Sequence, residues 1–251
     1  MINLLKCEYM KTRRRYILVS AVIITVIELC WILYGKYDAE MIEKGWMAFL
    51  YQLPLINEIF MPLTSIVIAS RLCDIEHKGS TLKLICCMTE KKNLYNAKLV
   101  YGIGIITICF IIQYGVIIAF GFVKGFGGNF PVKSYLLCGL FTFVPAIEIY
   151  IIQHTLSLLF KNQAIAFFTG VIGEFLGLFS MFLPQIPFLR KAVIWGHYGA
   201  LQFVGLDWNR ETRVSNFYYF DIDTEFFIAV AALCLIFYFA GRKLFIIKEV
   251  R

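Results

Sequence analysis

The chain has no GxxxxGK[ST] phosphate loop, no CxxC pair, no zinc-finger spacing, no H-E-x-x-H element and no nucleophile elbow. Each absence removes a chemistry. Without the phosphate loop there is no cradle for a nucleoside triphosphate, so ATP hydrolysis would have to come from another polypeptide. Without a metal-binding pair or an activated nucleophile, scattered Ser, His and Glu residues do not make a catalytic site. Charge is also scarce: 16% of the 251 residues are charged, against about 25% in a soluble domain. The formal net charge of +7 does not point to nucleic acid, because the cations gather beside apolar runs instead of forming a basic reading helix.

What is there is apolar. Sixty per cent of residues are hydrophobic, and mean hydropathy is +0.73. Six runs have membrane-spanning length: Tyr16–Tyr34, Trp46–Ser70, Leu99–Val123, Tyr135–Phe160, Ala164–Leu183 and Phe226–Ile247. Each is long enough to cross about 30 Å of hydrocarbon as a helix. The first has a basic flank, "MINLLKCEYMKTRRR", but is too long for a signal-peptide core and has no small-residue cleavage site. Pro54, Pro62 and Pro145 fall inside spans, where bends or broken turns are expected.

The sequence therefore predicts an all-α integral membrane protein with one domain over 16–251, preceded by an interfacial segment over 1–15. Sixteen cations fall on the side of the two termini and eight on the other, which predicts a multi-pass cell-membrane protein with both termini cytoplasmic. No cysteine falls in a predicted external loop, so reduced thiols are expected rather than a disulfide framework. In the N-terminal segment Ile2, Leu5 and Tyr9 recur at helical spacing, with Lys6 and Lys11 turned to water or anionic headgroups. The external connection, 184–225, is apolar enough at its start to dip into the outer leaflet or cover the bundle, and Asp223 or Thr224 would cap the last span. His197 within it reads as a surface or loop-packing residue.

The longest strongly polar stretch between spans is "RLCDIEHKGSTLKLICCMTEKKNLYNAK", Arg71 to Lys98. "STLKLICCM" allows about two helical turns capped by Ser80 or Thr81, with Leu82, Ile85 and Cys86 on one side and Lys83 on its flank. So short a helix is marginal alone and needs a surface to pack on. Patterning allows an ordinary structured loop or a contact that passes motion from a partner into the spans.

These features resemble an ABC-2-type transporter permease, especially the small six-span permeases of lantibiotic and bacteriocin self-immunity systems. The resemblance rests on the basic N-terminal helix, the six-span plan and "DIEHKGSTLKLICCMTEKKNLYNAK", in which an acidic residue and a Gly–Thr-like element precede a short helix. Ser80 interrupts the Gly–Thr pair. The resemblance implies a coupling helix that docks on a separate ATPase, through Glu76, Gly79, Ser80, Thr81, Leu82, Lys83 and Ile85. It further implies cytoplasmic ABC ATPase subunits that bind ATP and Mg2+, a second identical or related permease, and an amphiphilic peptide substrate.

Four carboxylates lie within spans: Glu28, Glu58, Glu148 and Glu174. Ionised carboxylates are costly in hydrocarbon, so each should face protein, water or a polar partner. Each either fixes the bundle or faces a substrate route. Glu58 and Glu148 are the preferred route-facing residues, while Glu174, among three glycines, suits a bend or a close helix approach. His154 follows Glu148 by six residues, which does not place the two on one face.

Overall fold

A computed structural model describes residues 2–35, 37–79, 81–183, 185–208 and 215–248. Five helices are long and apolar enough to span a bilayer: α4 (Gly45–Lys78), α6 (Lys91–Lys124), α7 (Val132–Leu159), α8 (Gln163–Met181) and α11 (Thr224–Ile247). A sixth candidate span is α2 (Ile17–Leu33), which follows α1 (Ile2–Arg13) across a 70° bend and precedes the short α3 (Ala39–Glu43). Tyr16 makes the turn in the left-handed region, with φ 53°. A helix that enters its span at such an angle is arranged to lie along an interface.

At 34 residues each, α4 and α6 are about 51 Å long. They exceed the hydrocarbon core by about 20 Å, so they project from it and carry the short α5 (Leu82–Met88) between them. That end also holds α1 and the last turns of α7 and α11. Lys248 Nζ caps α7 by donating to the Leu158 and Leu159 carbonyls at 3.0 and 2.6 Å, and His77 Nε2 lies 3.0 Å from the Ser157 carbonyl oxygen. Pro54, Pro62 and Pro145 do not end their helices: α4 and α7 run through them, and all three are buried. The broken turns expected there do not form.

The other end is closed by aromatic packing. Gly125, with φ 69°, ends α6, and the chain folds back so that Trp46 packs edge-on against Phe126, Phe130 and Tyr135. The connection after α8 is more structured than its sequence suggested. It contains α9 (Pro187–Ala192), a 3-10 turn at Ile194–Gly196, and α10 (His197–Ala200). An antiparallel hairpin follows, β1 (Val204–Trp208) with β2 (Ser215–Tyr219), pairing Val204 with Tyr219 and Trp208 with Ser215. One face of the hairpin seats Phe217 against Tyr51 and stacks Tyr219 on Phe203.

The start of this connection covers the bundle, one of its two expected placements. Trp195 lies on α8 where a Cβ at Gly173 or Gly177 would strike it, and Gly170 makes the same room for Gln153 and Ile66. The three glycines of α8 thus serve close approach. Asp223 caps α11 as expected, accepting from the Phe226 amide at 2.9 Å.

A candidate coupling site on a buried charge cluster

Glu76 is the last carboxylate of α4 and Lys98 lies two turns into α6, so the two bracket α5 in sequence. The fold brings them together in the protein interior. Lys98 Nζ lies 2.7 Å from Glu76 Oε2 and 2.9 Å from Glu8 Oε2, and donates to the Leu72 carbonyl at 2.9 Å. Glu8 and the Leu72 carbonyl accept hydrogen bonds from the ammonium, and Glu76 is its ion-pair partner. Lys11 Nζ closes the cluster at 2.9 Å from Glu8 Oε1 and 3.0 Å from Glu76 Oε1. Lys98 is fully buried, and Glu8 and Glu76 are 1% exposed. Two acids and two bases thus join α1, α4 and α6 with no net charge. Thr12 adds a 2.6 Å hydroxyl contact to Tyr101, a second tie between α1 and α6.

Removing one partner from such a cluster is costly, because the others stay buried and uncompensated. Burial alone would raise the Glu8 carboxyl, but Lys98 and Lys11 hold it below the usual carboxylate range. Burial would lower Lys11, and Glu8 and Glu76 hold it above the usual range. The Glu8 contribution is therefore present above the ordinary carboxyl value of 4.5 and lost as pH falls through the depressed one. The Lys11 contribution is complete below 10.5 and lost as pH rises through the raised value. Melting of the purified protein should accordingly hold from about pH 7 to about pH 5 and decline on further acidification below about pH 4. A Glu8→Gln variant should start lower and show a smaller decline; an equal decline would remove Glu8 from the anchoring.

The inner and outer faces of α5 differ. Leu82 is 5% exposed and belongs to the hydrophobic core, with Ile85 and Cys86 packed against it. Lys83, Leu84, Cys87 and Met88 point away from the bundle, Leu84 and Met88 with 62% and 80% of their surface free. Thr81 precedes the helix without a side-chain cap, and the Ile85 amide donates to its carbonyl at 2.9 Å. Gly79 ends α4 with an ordinary right-handed backbone, and Ser80 lies outside the described residues.

Of the residues expected at a partner contact, Glu76, Leu82 and Ile85 are therefore turned inward, and Lys83 outward. Leu84 and Met88 were missed, although their spacing of four places both on one helical stripe. Lys98, counted among the solvated cations, is the centre of the cluster.

The intramembrane carboxylates are separate from this site. Glu28 Oε1 accepts from Gln113 Nε2 at 2.7 Å. The same nitrogen donates to Asn57 Oδ1 at 2.6 Å, and Asn57 Nδ2 to Thr142 Oγ1 at 2.9 Å. This belt links α2, α4, α6 and α7. Glu58 is wholly buried with neither oxygen partnered among the described residues. Glu174 is half-buried on α8, with Oε2 unpartnered there. Glu148 pairs with His197, whose ring is 1% exposed; His197 is not a surface residue. His154 is directed elsewhere, with Nε2 3.2 Å from the Tyr95 carbonyl oxygen.

A bundle of long apolar helices, with a bent N-terminal helix and a short helix held out between two of the longest, is a polytopic membrane protein in form. Residues 4–179 match the sequence profile of the ABC-2 family transporter proteins, and the chain belongs to that family. It is thereby a permease subunit of an ABC transporter, with an ATPase subunit as partner. No curated protein matches the chain.

Proposed function

We propose that the protein is the membrane subunit of an ATP-driven system that removes a lantibiotic or similar antimicrobial peptide from the membrane for self-protection. In this reading both termini and α5 face the cytoplasm, and α5 receives the ATPase on Leu84, Met88, Lys83 and Cys87. The observation that carries the coupling role is the division of α5: an inner face in the core, an outer face with two large apolar residues free. Rigidity comes from either side, because both helices that lead into α5 are clamped by the Lys98 cluster. A push on α5 then moves α4, α6 and α1 together. Gly79 and Thr81 stand at the joint before the helix.

A substrate that arrives from the lipid phase suits an apolar cavity of about 570 Å³ between α6 and α7. Phe110, Tyr114, Tyr135 and Phe143 line it, and the exposed Ile111, Leu136 and Leu140 leave it open sideways. Charge attraction has little part, since the 184–225 connection carries four basic and five acidic residues. The same cavity suits a lipid or another exported amphiphile, and a second permease would complete the transporter. A membrane assembly protein without an ATPase is the rival of a different class.

Co-purification in nanodiscs from the native cells tests the reading. Wild type should recover an ABC ATPase, and a Leu84→Asp/Met88→Asp variant should lose it while keeping wild-type melting and size. Cells with the intact pair should tolerate the peptide, and cells with the double variant should not. A well-folded wild-type assembly without any ATPase would establish the assembly-protein reading instead. An ATPase recovered equally with both forms would move its contact off α5.

A further inference from the structure

Glu148 lies about 24 Å along α7 from its first residue, deep in the bundle. Its partner does not come from another span. It is His197, in the part of the connection after α8 that enters the bundle, where Gly196, His197, Tyr198 and Gly199 are all buried. His197 Nδ1 lies 2.8 Å from Glu148 Oε2, and its Nε2 lies 3.3 Å from the Lys191 carbonyl oxygen.

Both ring nitrogens thus face acceptors. A neutral imidazole has one N–H and satisfies one of them. Both contacts are bonded when the pair holds one further proton. On the ring it gives an imidazolium against a carboxylate. On the carboxyl it donates to Nδ1 while Nε2–H donates to the carbonyl. Without it, a nitrogen lone pair is pressed against an oxygen in a buried site, where an unpaired polar contact is expensive.

We propose that Glu148 and His197 form a proton-binding site that locks the 187–200 segment onto the bundle. With the proton in place the segment is tied to α7 and Trp195 rests on the glycine face of α8. Loss of the proton breaks one of the two His197 bonds and unseats the segment. Glu148 Oε1, which meets no partner among the described residues, is a free acceptor beside the pair.

The groups that face the site do not replace that proton. From α9, the Arg190 guanidinium is occupied by the Ser180 and Met181 carbonyls, and Lys191 Nζ pairs with Asp223. From α11, Phe226 packs edge-on to the imidazole at 5.2 Å, and the Cys234 thiol donates to the Val144 carbonyl. Glu58 of α4 and Glu174 of α8 are acids on the other elements packed against this segment. Arg190 and Lys191 are cations that oppose the proton, but the Ser180 and Met181 carbonyls and Asp223 offset them; the remaining neighbours are acidic or neutral, which favours holding a proton at the pair. The lock is distinct from the α5 cluster and does not depend on an ATPase docking there.

Hydrogen exchange of the full-length protein in nanodiscs, followed by mass spectrometry from about pH 6 to about pH 9, reads the state of the segment. After correction for intrinsic exchange, amides of 187–200 should open about tenfold or more as pH rises, since each unit of pH changes an obligatory proton's occupancy tenfold. Amides in the middle of α6 should not change. In Glu148→Gln the amide nitrogen donates to Nδ1 while Nε2–H donates to the carbonyl. Both contacts are then made without a shared proton, and the segment should stay protected at every pH. His197→Ala should open it at every pH. Constant protection of 187–200 in wild type would overturn the proposal, whether or not either variant folds. A wild-type pH response retained in Glu148→Gln would also overturn it.

Discussion

Replacing Lys98 by methionine should be among the most damaging single changes to this protein. The ammonium is fully buried and serves Glu8, Glu76 and the Leu72 carbonyl together. Methionine fills much of the volume but leaves two buried acids with only Lys11, which is partly exposed. Breaking a buried pair by removing one partner costs about 3–5 kcal/mol, so the variant should melt far below wild type. Neutralising the acids as well, in a Glu8→Gln/Glu76→Gln/Lys98→Met variant, leaves only the partly exposed Lys11 charged and should restore most of the melting temperature, since exchanging buried ionic groups for neutral side chains is often tolerated. The two variants separate folding from coupling. If the cluster makes α1, α4 and α6 move as one body, the triple variant should fold and bind the ATPase but lose transport-linked ATP hydrolysis. A triple variant with normal hydrolysis would reduce the cluster to a structural tie.

Lys98 also shows where sequence reading stopped. The spans were legible because length and hydropathy decide them: a run that must satisfy its own backbone in hydrocarbon has few alternatives to a helix. The short helix at 82–88 was legible from its apolar spacing, and the inner placement of Leu82, Ile85 and Cys86 followed. Partnerships were not legible. Glu8 stands in the N-terminal segment and Glu76 and Lys98 near the two ends of the 71–98 stretch, and only the tertiary fold shows that they face one another and not solvent. Glu148 and His197 are 49 positions apart, with a span and a turn between them, and no spacing rule connects them. The hairpin was missed because its strands are five residues each and lie in a connection whose apolar content reads equally as membrane contact.

Gln113→Leu should be the second most damaging change, in a different layer. One amide nitrogen of Gln113 satisfies both Glu28 and Asn57, so its removal strands two buried polar groups. A buried group left without its partner costs about 1–3 kcal/mol, although single polar contacts between spans average nearer 0.6 kcal/mol. The upper part of the range is expected here because one deletion undoes two contacts and Glu28 is 1% exposed. A Glu28→Leu/Asn57→Leu/Gln113→Leu variant removes donor and acceptors together and should recover much of that loss, because matched apolar replacements of a buried polar set are nearly neutral. Asn57 also donates to Thr142, which shares a 3.0 Å contact with Tyr114, so Thr142 keeps a partner when the belt is gone. Tyr114 lines the apolar cavity between α6 and α7, which places the end of the belt beside the proposed substrate entry. If the belt only fixes helix positions, the triple variant should be stable and still confer resistance. If it shapes that entry, the variant should keep its ATPase and its melting temperature while resistance falls, a separation that loss of packing alone does not produce.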